Sequence, residues 1–307
     1  MWVAVSPATP DDLTAACRAL AAVQPRPKRD LTAVRYRDLF VAGELDTSGL
    51  LVARDRAGVV RGAMLVQSLP GCLGLAWPPR VEPGQDQSAI EDALTVAGCT
   101  QLRACGVTVC QSFAPLADRA EMAPLLRNGF GLITSVIHQR RPSHPCSSPR
   151  SGGHPLTFDP FLPDLRAEFA ATLLATYTDS LDCPELTGQR GPSDLLDGFS
   201  GPGIPTSPGW FLVRDTTRPV GVVLFDSGTE PGAVELNYLG LVPAARGKGW
   251  GDALVRFAIE AAASAGASAL TLSVDTRNTP ALRLYERHGF QEYDRRDVYL
   301  AFWPNGP

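Results

Sequence analysis

The chain has 307 residues and a mass of 32.7 kDa, which corresponds to about two domains at ~100–200 residues each. Apolar residues make up 44% and charged residues 20%, with a formal net charge of −4, the balance of a soluble globular chain. No uncharged apolar run nears the ~18 residues of a membrane span, and no basic stripe interleaved with aromatics marks a nucleic-acid face. The opening stretch has no basic n-region and meets Pro7 early, so no secretory signal is expected. A short strand at 3–5 leads into a helix from about Pro10, with Asp11 and Asp12 where the helix dipole favours anions. Segments 49–54 and 59–69 flank a turn at Asp55-Arg56-Ala57-Gly58 and predict a hairpin, with a further strand at 73–77. Helical spacing covers 90–103. A buried strand follows at 107–109, then a helix at 123–128 stopped by Gly129 and a strand at 132–138.

Residues 142–155 are rich in Pro, Ser, Gly and His and show no period, which predicts an exposed linker between domains at 1–141 and 156–307. The first half carries 15 Lys+Arg against 13 Asp+Glu, the second 12 against 19. An acidic second half favours a cationic partner. Cys17, Cys72, Cys99, Cys105, Cys110, Cys146 and Cys183 are scattered, without a CxxC or histidines at ligand spacing. They read as idle thiols of a cytoplasmic protein and predict no metal site.

The second half repeats the order of the first with stronger signals. A helix covers 164–177, short helical pieces and loops follow, and Gly201-Pro-Gly-Ile-Pro-Thr-Ser-Pro-Gly209 is a loop by composition. Segments 210–214 and 220–226 form a hairpin, and 235–241 is a strand. Helix 247–265 places Trp250, Ala253, Leu254, Phe257, Ala258, Ala261 and Ala262 on one face, with Asp252, Arg256 and Glu260 opposite. A strand at 270–274 feeds a short helix with Thr279 as its N-cap, Pro280 in its first turn and Gly289 as its stop. A last strand completes the chain.

The site-bearing stretch is 239–251, Leu-Gly-Leu-Val-Pro-Ala-Ala-Arg-Gly-Lys-Gly-Trp-Gly. A strand ends, Pro243 forbids further ladder donation, and Gly247, Gly249 and Gly251 open a long helix. Converging N–H groups at a helix start make an anion site, glycines admit close approach, and Arg246 and Lys248 add charge. A diphosphate fits such a site. Neither a Walker A loop nor a dinucleotide fingerprint matches the spacing.

Arg246-x-x-Gly249-x-Gly251 and Asn278-x6-Tyr285-x3-Gly289-Phe290, 32 residues apart, together resemble the GNAT (GCN5-related N-acetyltransferase) superfamily. The first half resembles a degenerate copy. It keeps the β–α opening and an Asn128-Gly129-Phe130 closing, but Pro-Pro-Arg-Val-Glu-Pro-Gly-Gln-Asp-Gln-Ser-Ala after Trp77 replaces the glycine loop. The tandem arrangement with one working half is similar to the mycothiol synthase family. The resemblance implies an α/β (α+β) fold of tandem GNAT domains, each a mixed, mostly antiparallel sheet flanked by helices.

It also implies an acetyl-CoA-dependent N-acetyltransferase that acts on a primary amine of a small acceptor. Two alternatives are a CoA-binding regulatory or scaffold protein without turnover and a mycothiol-synthase-like enzyme. In such a fold the strand before the loop splays from its neighbour, and the pantetheine arm adds to its edge at Leu239, Gly240 and Leu241. The diphosphate sits on Gly247, Lys248, Gly249, Trp250, Gly251 and Asp252, and Asn278 contacts the cofactor. An alkyl ammonium must lose a proton before attack. Glu235, which alternates with Asn237, Leu239 and Leu241, is expected to share their face and act as base through a water. Asp275 and Ser273 are weaker alternatives, and Tyr285 is the expected acid for the departing thiolate. Asp179, Asp182 and Glu185 are the candidates for an acceptor's ammonium.

Overall fold

A computed structural model of the chain describes residues 3–22, 24, 26–84, 86–143, 156–199, 209–228 and 231–303. It divides into two compact units, Met1–Ile133 with Asp297–Pro307, and Thr134–Arg296. Most of the expected linker (144–155, with Cys146) and residues 201–208 of the Gly/Pro loop lie outside the described residues.

Unit 1 opens with β1 (Ala4–Pro7), α1 (Leu13–Leu20) and α2 (Arg26–Val41). No sequence-based element corresponds to α2. It carries seven charged residues, and only Ala33, Tyr36 and Phe40 join the core beneath it, too narrow a stripe to stand out. The hairpin of β2 (Leu50–Arg54) and β3 (Val60–Leu69) forms as expected, its turn held by Asp55 accepting the N–H groups of Ala57 and Val59. Next come β4 (Leu73–Ala76), a short β5 (Arg80–Val81) on β3, and α3 (Gln87–Ala104), which crosses to β6 (Val109–Pro115), parallel to β4. α4 (Ala123–Arg127) leads into β7 (Gly131–Pro142). The strand order β1-β2-β3-β4-β6 is continued by the unit 1 part of the chain's last strand.

Unit 2 contains β8 (Leu156–Pro160), α5 (Arg166–Tyr177), α6 (Pro192–Asp197), β9 (Trp210–Asp215), β10 (Arg218–Ser227) and β11 (Ala233–Leu241). They are followed by α7 (Trp250–Ser264), β12 (Ala269–Asp275), α8 (Thr279–Arg287) and β13 (Gln291–Phe302). β7 runs past the predicted end at 138, because residues 136–142 pair antiparallel with 269–275, and the compact unit begins inside this strand. The order is β7-β12-β11-β10-β9-β8, and of the registered pairs only β11–β12 is parallel.

One face of this sheet takes α7, whose Leu254, Val255, Ala258, Ile259 and Ala262 are wholly buried. At about 1.5–3 kcal/mol per large aliphatic side chain, Leu254, Val255 and Ile259 suffice to hold the helix down. The other face takes α5 through Phe169, Leu173, Leu212, Val222 and Leu224. Strand, crossing helix and parallel strand thus recur in both units, as β4–α3–β6 and β11–α7–β12.

Candidate active site

The parallel pairing of β11 with β12 covers only 233–236 against 269–272. Beyond Leu236 and Leu272 the strands part, and residues from Tyr238 on pair only with β10. One edge of β11 is therefore left with free main-chain groups. A bulge also sits here: Phe225 pairs with Leu236 and Leu224 with Tyr238, so Asn237 is the extra residue. The bulge overturns the expected alternation. Val234, Leu236, Leu239 and Leu241 pack on the α7 side, whereas Tyr238 faces α5. Glu235, which alternates with Val234 and Leu236, lies on the α5 side and does not share a face with Leu239 and Leu241.

The close approach of β11 to its neighbours depends on two glycines. A Cβ at Gly221 would stand 2.4 Å from the Gly240 carbonyl oxygen, and one at Gly240 would stand 2.7 Å from the Tyr238 ring and 2.8 Å from Thr176 Cβ. Tyr238 shares a hydrogen bond with Thr176 at 2.9 Å and stacks on Tyr177 at 5.4 Å.

After β11, Gly247 (φ 76°) and Gly249 (φ 78°) adopt left-handed conformations on either side of Lys248. α7 starts at Trp250 with Gly249 as its N-cap, three residues later than the periodicity alone predicts. Among the described residues, none of the N–H groups from Gly247 to Gly251 donates to another part of the chain. Such a run of open donors at the start of a fifteen-residue helix forms an anion-binding concavity. Lys248 Nζ lies 4.8 Å from the centre of the Trp250 ring. Two expected contributors are committed elsewhere. Arg246 donates to the carbonyls of Leu241 (3.1 Å), Asp179 (3.0 Å) and Thr176 (2.8 Å), tying the loop to the C-terminal end of α5. The Asp252 N–H donates to Gly249, and its carboxylate meets Arg256 and His288 Nε2, both at 2.8 Å.

The N-cap of α8 is Asn278, not Thr279: its Oδ1 accepts the Ala281 N–H. Tyr285 follows two turns on, only 8% exposed, against Phe290. Its hydroxyl has no partner among the described residues, and burial, reinforced by the charge of Asp182, pushes its pKa up. A cavity of about 230 Å³ joins these parts, lined by Asn237, Gly240, Ser273, Asn278, Tyr285 and Asp182 among others. Glu235 is outside this lining. Its carboxyl is pushed up by burial and by Asp226, its partner across β10.

The acidic loop after α5 is more structured than its sequence suggests. Asp275, with no exposed side-chain surface, accepts from Thr134 (2.7 Å), the Cys183 N–H (3.0 Å) and Arg277. Burial opposes its ionisation, but Arg277 and these hydrogen bonds hold its pKa low. Arg277 also pairs with Glu185 at 2.7 Å. Asp275 is thus a structural hub and Glu185 is already neutralised. Asp179 and Asp182 remain on the cavity, and burial beside Asp275 pushes the Asp182 carboxyl up. Cys183 sits in a left-handed conformation (φ 45°) with its thiol pushed up to about 12, an inert group. Apart from the Asp275–Arg277 pair, two residues apart, these links join residues distant in sequence, and only the run of acids hinted at them.

Among the described residues, unit 1 has no such loop. After β4, Trp77 packs on Tyr36, Arg80 and Val81 form β5, and Arg80 pairs with Glu121. Between 77 and 86 no described glycine is left-handed.

Residues 173–290 match the acetyltransferase (GNAT) family. A mycothiol acetyltransferase of Jonesia denitrificans is 37% identical over 135 residues, which span 41% of this chain and 41% of that protein. One of Mycobacteroides abscessus is 35% identical over 102 residues, 32% of this chain and 34% of that protein. The aligned segments thus span less than half the length of these relatives. In overall fold the chain is similar to a GCN5-related N-acetyltransferase from Sphaerobacter thermophilus (TM-score 0.60, 18% identity, 99% of this chain and 97% of that one). It is also similar to a tandem GNAT protein from the clavulanic acid biosynthesis pathway (TM-score 0.51, 14% identity, 100% and 99%).

Proposed function

With a domain of the acetyltransferase (GNAT) family across residues 173–290, we propose that this chain is an acetyl-CoA-dependent N-acetyltransferase that acetylates a primary amine of a small acceptor in unit 2. The observation that carries this reading is one cavity lined by the unpaired strand edge and by a buried tyrosine without a hydroxyl partner among the described residues, with Arg246 on the same lining and the run of open N–H groups directly after it in the chain. These fit acetyl-CoA part by part. The N–H groups of Gly247, Lys248, Gly249, Trp250 and Gly251 receive the diphosphate, with Lys248 adding charge. Leu239, Gly240 and Leu241 offer main-chain partners to the pantetheine arm. Asn278 presents its free amide group to the cofactor. Arg246 holds the loop in place without touching the anion.

Bound acetyl-CoA supplies the acetyl thioester, and the chain's residues do the rest. A main-chain N–H of the β11 edge polarises the carbonyl, worth about 3 kcal/mol for one well-placed donor. Glu235, on the α5 side of the sheet, takes the proton of the amine through a water. Tyr285 protonates the thiolate as the amide forms. Its high pKa keeps it protonated at neutral pH, as an acid must be. The names of the mycothiol acetyltransferase relatives support a small acceptor, and a cytoplasmic location is part of the same proposal. Unit 1 is assigned as a copy without a cofactor loop.

Calorimetric titration of the full chain with acetyl-CoA tests this reading. One molecule binds per chain, and binding is lost when Gly249 and Gly251 are both filled. Two sites, or none, overturn it.

A further inference from the structure

At the point where β11 and β12 separate, the first residue of β12 without a β11 partner is Ser273, which lines the cavity. Its hydroxyl is 2.8 Å from His138 Nδ1, on the directly opposite residue of β7. The His138 ring lies 6.1 Å from Tyr293, and its Nε2 is buried without a hydrogen-bond partner among the described residues. Among the described residues, Ser273 is the ring's one hydrogen-bond partner. A half-buried imidazole that leaves one nitrogen unsatisfied is an unfavourable choice for a sheet position, where an aliphatic residue costs nothing. Burial and Arg296 hold its pKa below the ordinary histidine range, against the pull of Asp294, so the ring is neutral at neutral pH. With either tautomer of a neutral ring, Ser273 Oγ keeps a lone pair for the cavity.

We propose that the Ser273–His138 pair is the hydrogen-bond site that receives the attacking nitrogen of the acceptor. This rests on the acetyltransferase reading above. An amine that attacks a thioester points its lone pair at the carbonyl carbon, and its N–H bonds need acceptors elsewhere. Ser273 stands where the strands part, beside the end of the free β11 edge, and accepts one N–H. Glu235, which pairs with Thr271 two residues earlier on the same side of β12, is placed to receive the other through its water. His138 touches no substrate in this scheme. It fixes the Ser273 rotamer and is a positioning residue.

The test compares Ser273→Ala, Ser273→Thr and His138→Gln with the unmodified full chain. Acetyl-CoA affinity is read by calorimetry, and kinetics are measured with the amine turned over fastest from a panel of primary amines. Ser273→Ala and His138→Gln raise the acceptor KM about tenfold or more, leave acetyl-CoA affinity within about twofold, and Ser273→Thr restores most of the loss. An unchanged acceptor KM overturns the proposal, as does an equal loss of acetyl-CoA affinity or a Ser273→Thr no better than Ser273→Ala. If the chain binds acetyl-CoA but acetylates no amine, the acetyltransferase reading fails separately. The ring nitrogen NMR signals of His138 then decide the pair. A shift when the panel amines are added to the complex with CoA keeps it as an amine site, and no shift overturns it.

Discussion

Gly249 and Gly266 sit at opposite ends of α7 in nearly the same conformation, φ 78° and φ 76°, and a Cβ at either meets nothing within 4 Å. Alanine at each position therefore imposes left-handed strain and no clash, about 1–2 kcal/mol of stability in the unliganded chain. At Gly249 the new methyl group also enters the space in front of the open N–H groups, where the account puts the diphosphate. A tenfold loss of acetyl-CoA affinity follows at this position alone. At a concentration 100 times the native Kd, acetyl-CoA stabilises the native chain by about 2.7 kcal/mol, falling to about 1.4 kcal/mol when the affinity drops tenfold. Urea unfolding of the native chain, Gly249→Ala and Gly266→Ala, each with and without acetyl-CoA, reads both quantities. The expected pattern is similar destabilisation of both variants without ligand, and ligand-induced stabilisation halved only in Gly249→Ala. Full ligand stabilisation in Gly249→Ala, or the same loss in Gly266→Ala, refutes the placement of the anion site.

Three further outcomes follow from the same geometry. Glu235 must be ionised to act as base, and burial and Asp226 raise its pKa, so kcat/KM falls as pH falls through a value above the ordinary glutamate range. Asp226→Asn removes one of the two causes and moves that limb to lower pH, while Glu235→Gln abolishes it; an unmoved limb in both removes Glu235 from the mechanism. Gly240→Ala drives a methyl group into the Tyr238 ring and Thr176, an overpacking of about 1–3 kcal/mol that urea midpoints should show even without ligand. Arg246→Ala frees three carbonyl groups between the loop and α5, so it lowers stability in the unliganded chain, whereas Lys248→Ala weakens acetyl-CoA binding with stability unchanged. The reverse pattern would return Arg246 to the role of anion ligand.

The elements around the glycine loop were legible because their signals are local. α7 has a continuous apolar stripe on one side and charges on the other, and α8 carries a cap, a proline and a stop within eleven residues. Where two capping residues adjoin, as Asn278 and Thr279 do, composition does not choose between them, and the structure selects Asn278. The bulge at Asn237 left no mark in Glu-Leu-Asn-Tyr-Leu, since strict alternation is the default reading of a strand and an extra residue is set by the partner strand. It moved Glu235 to the opposite side from Leu239. The charges of Arg246, Asp252 and Glu185 were visible, but their commitments to carbonyls, His288 and Arg277 are long-range. α2 hid because its buried stripe is narrow and its surface highly charged.

The central claim is acetyl transfer in unit 2 with Tyr285 as the acid. The most direct measurement is the release of CoA thiol from acetyl-CoA by the full chain against a panel of primary amines, with the acetylated product identified by mass spectrometry, for the native chain and Tyr285→Phe. Because the Tyr285 hydroxyl has no partner to lose among the described residues, the variant should fold and bind acetyl-CoA as the native chain does. The account predicts one thiol per amide formed by the native chain and a rate lower by about 10²–10⁴-fold in Tyr285→Phe. Thiol release no faster than spontaneous hydrolysis with every amine, despite acetyl-CoA binding, would contradict the account and make this a CoA-binding protein without turnover. A Tyr285→Phe chain as fast as the native one would contradict the role given to Tyr285.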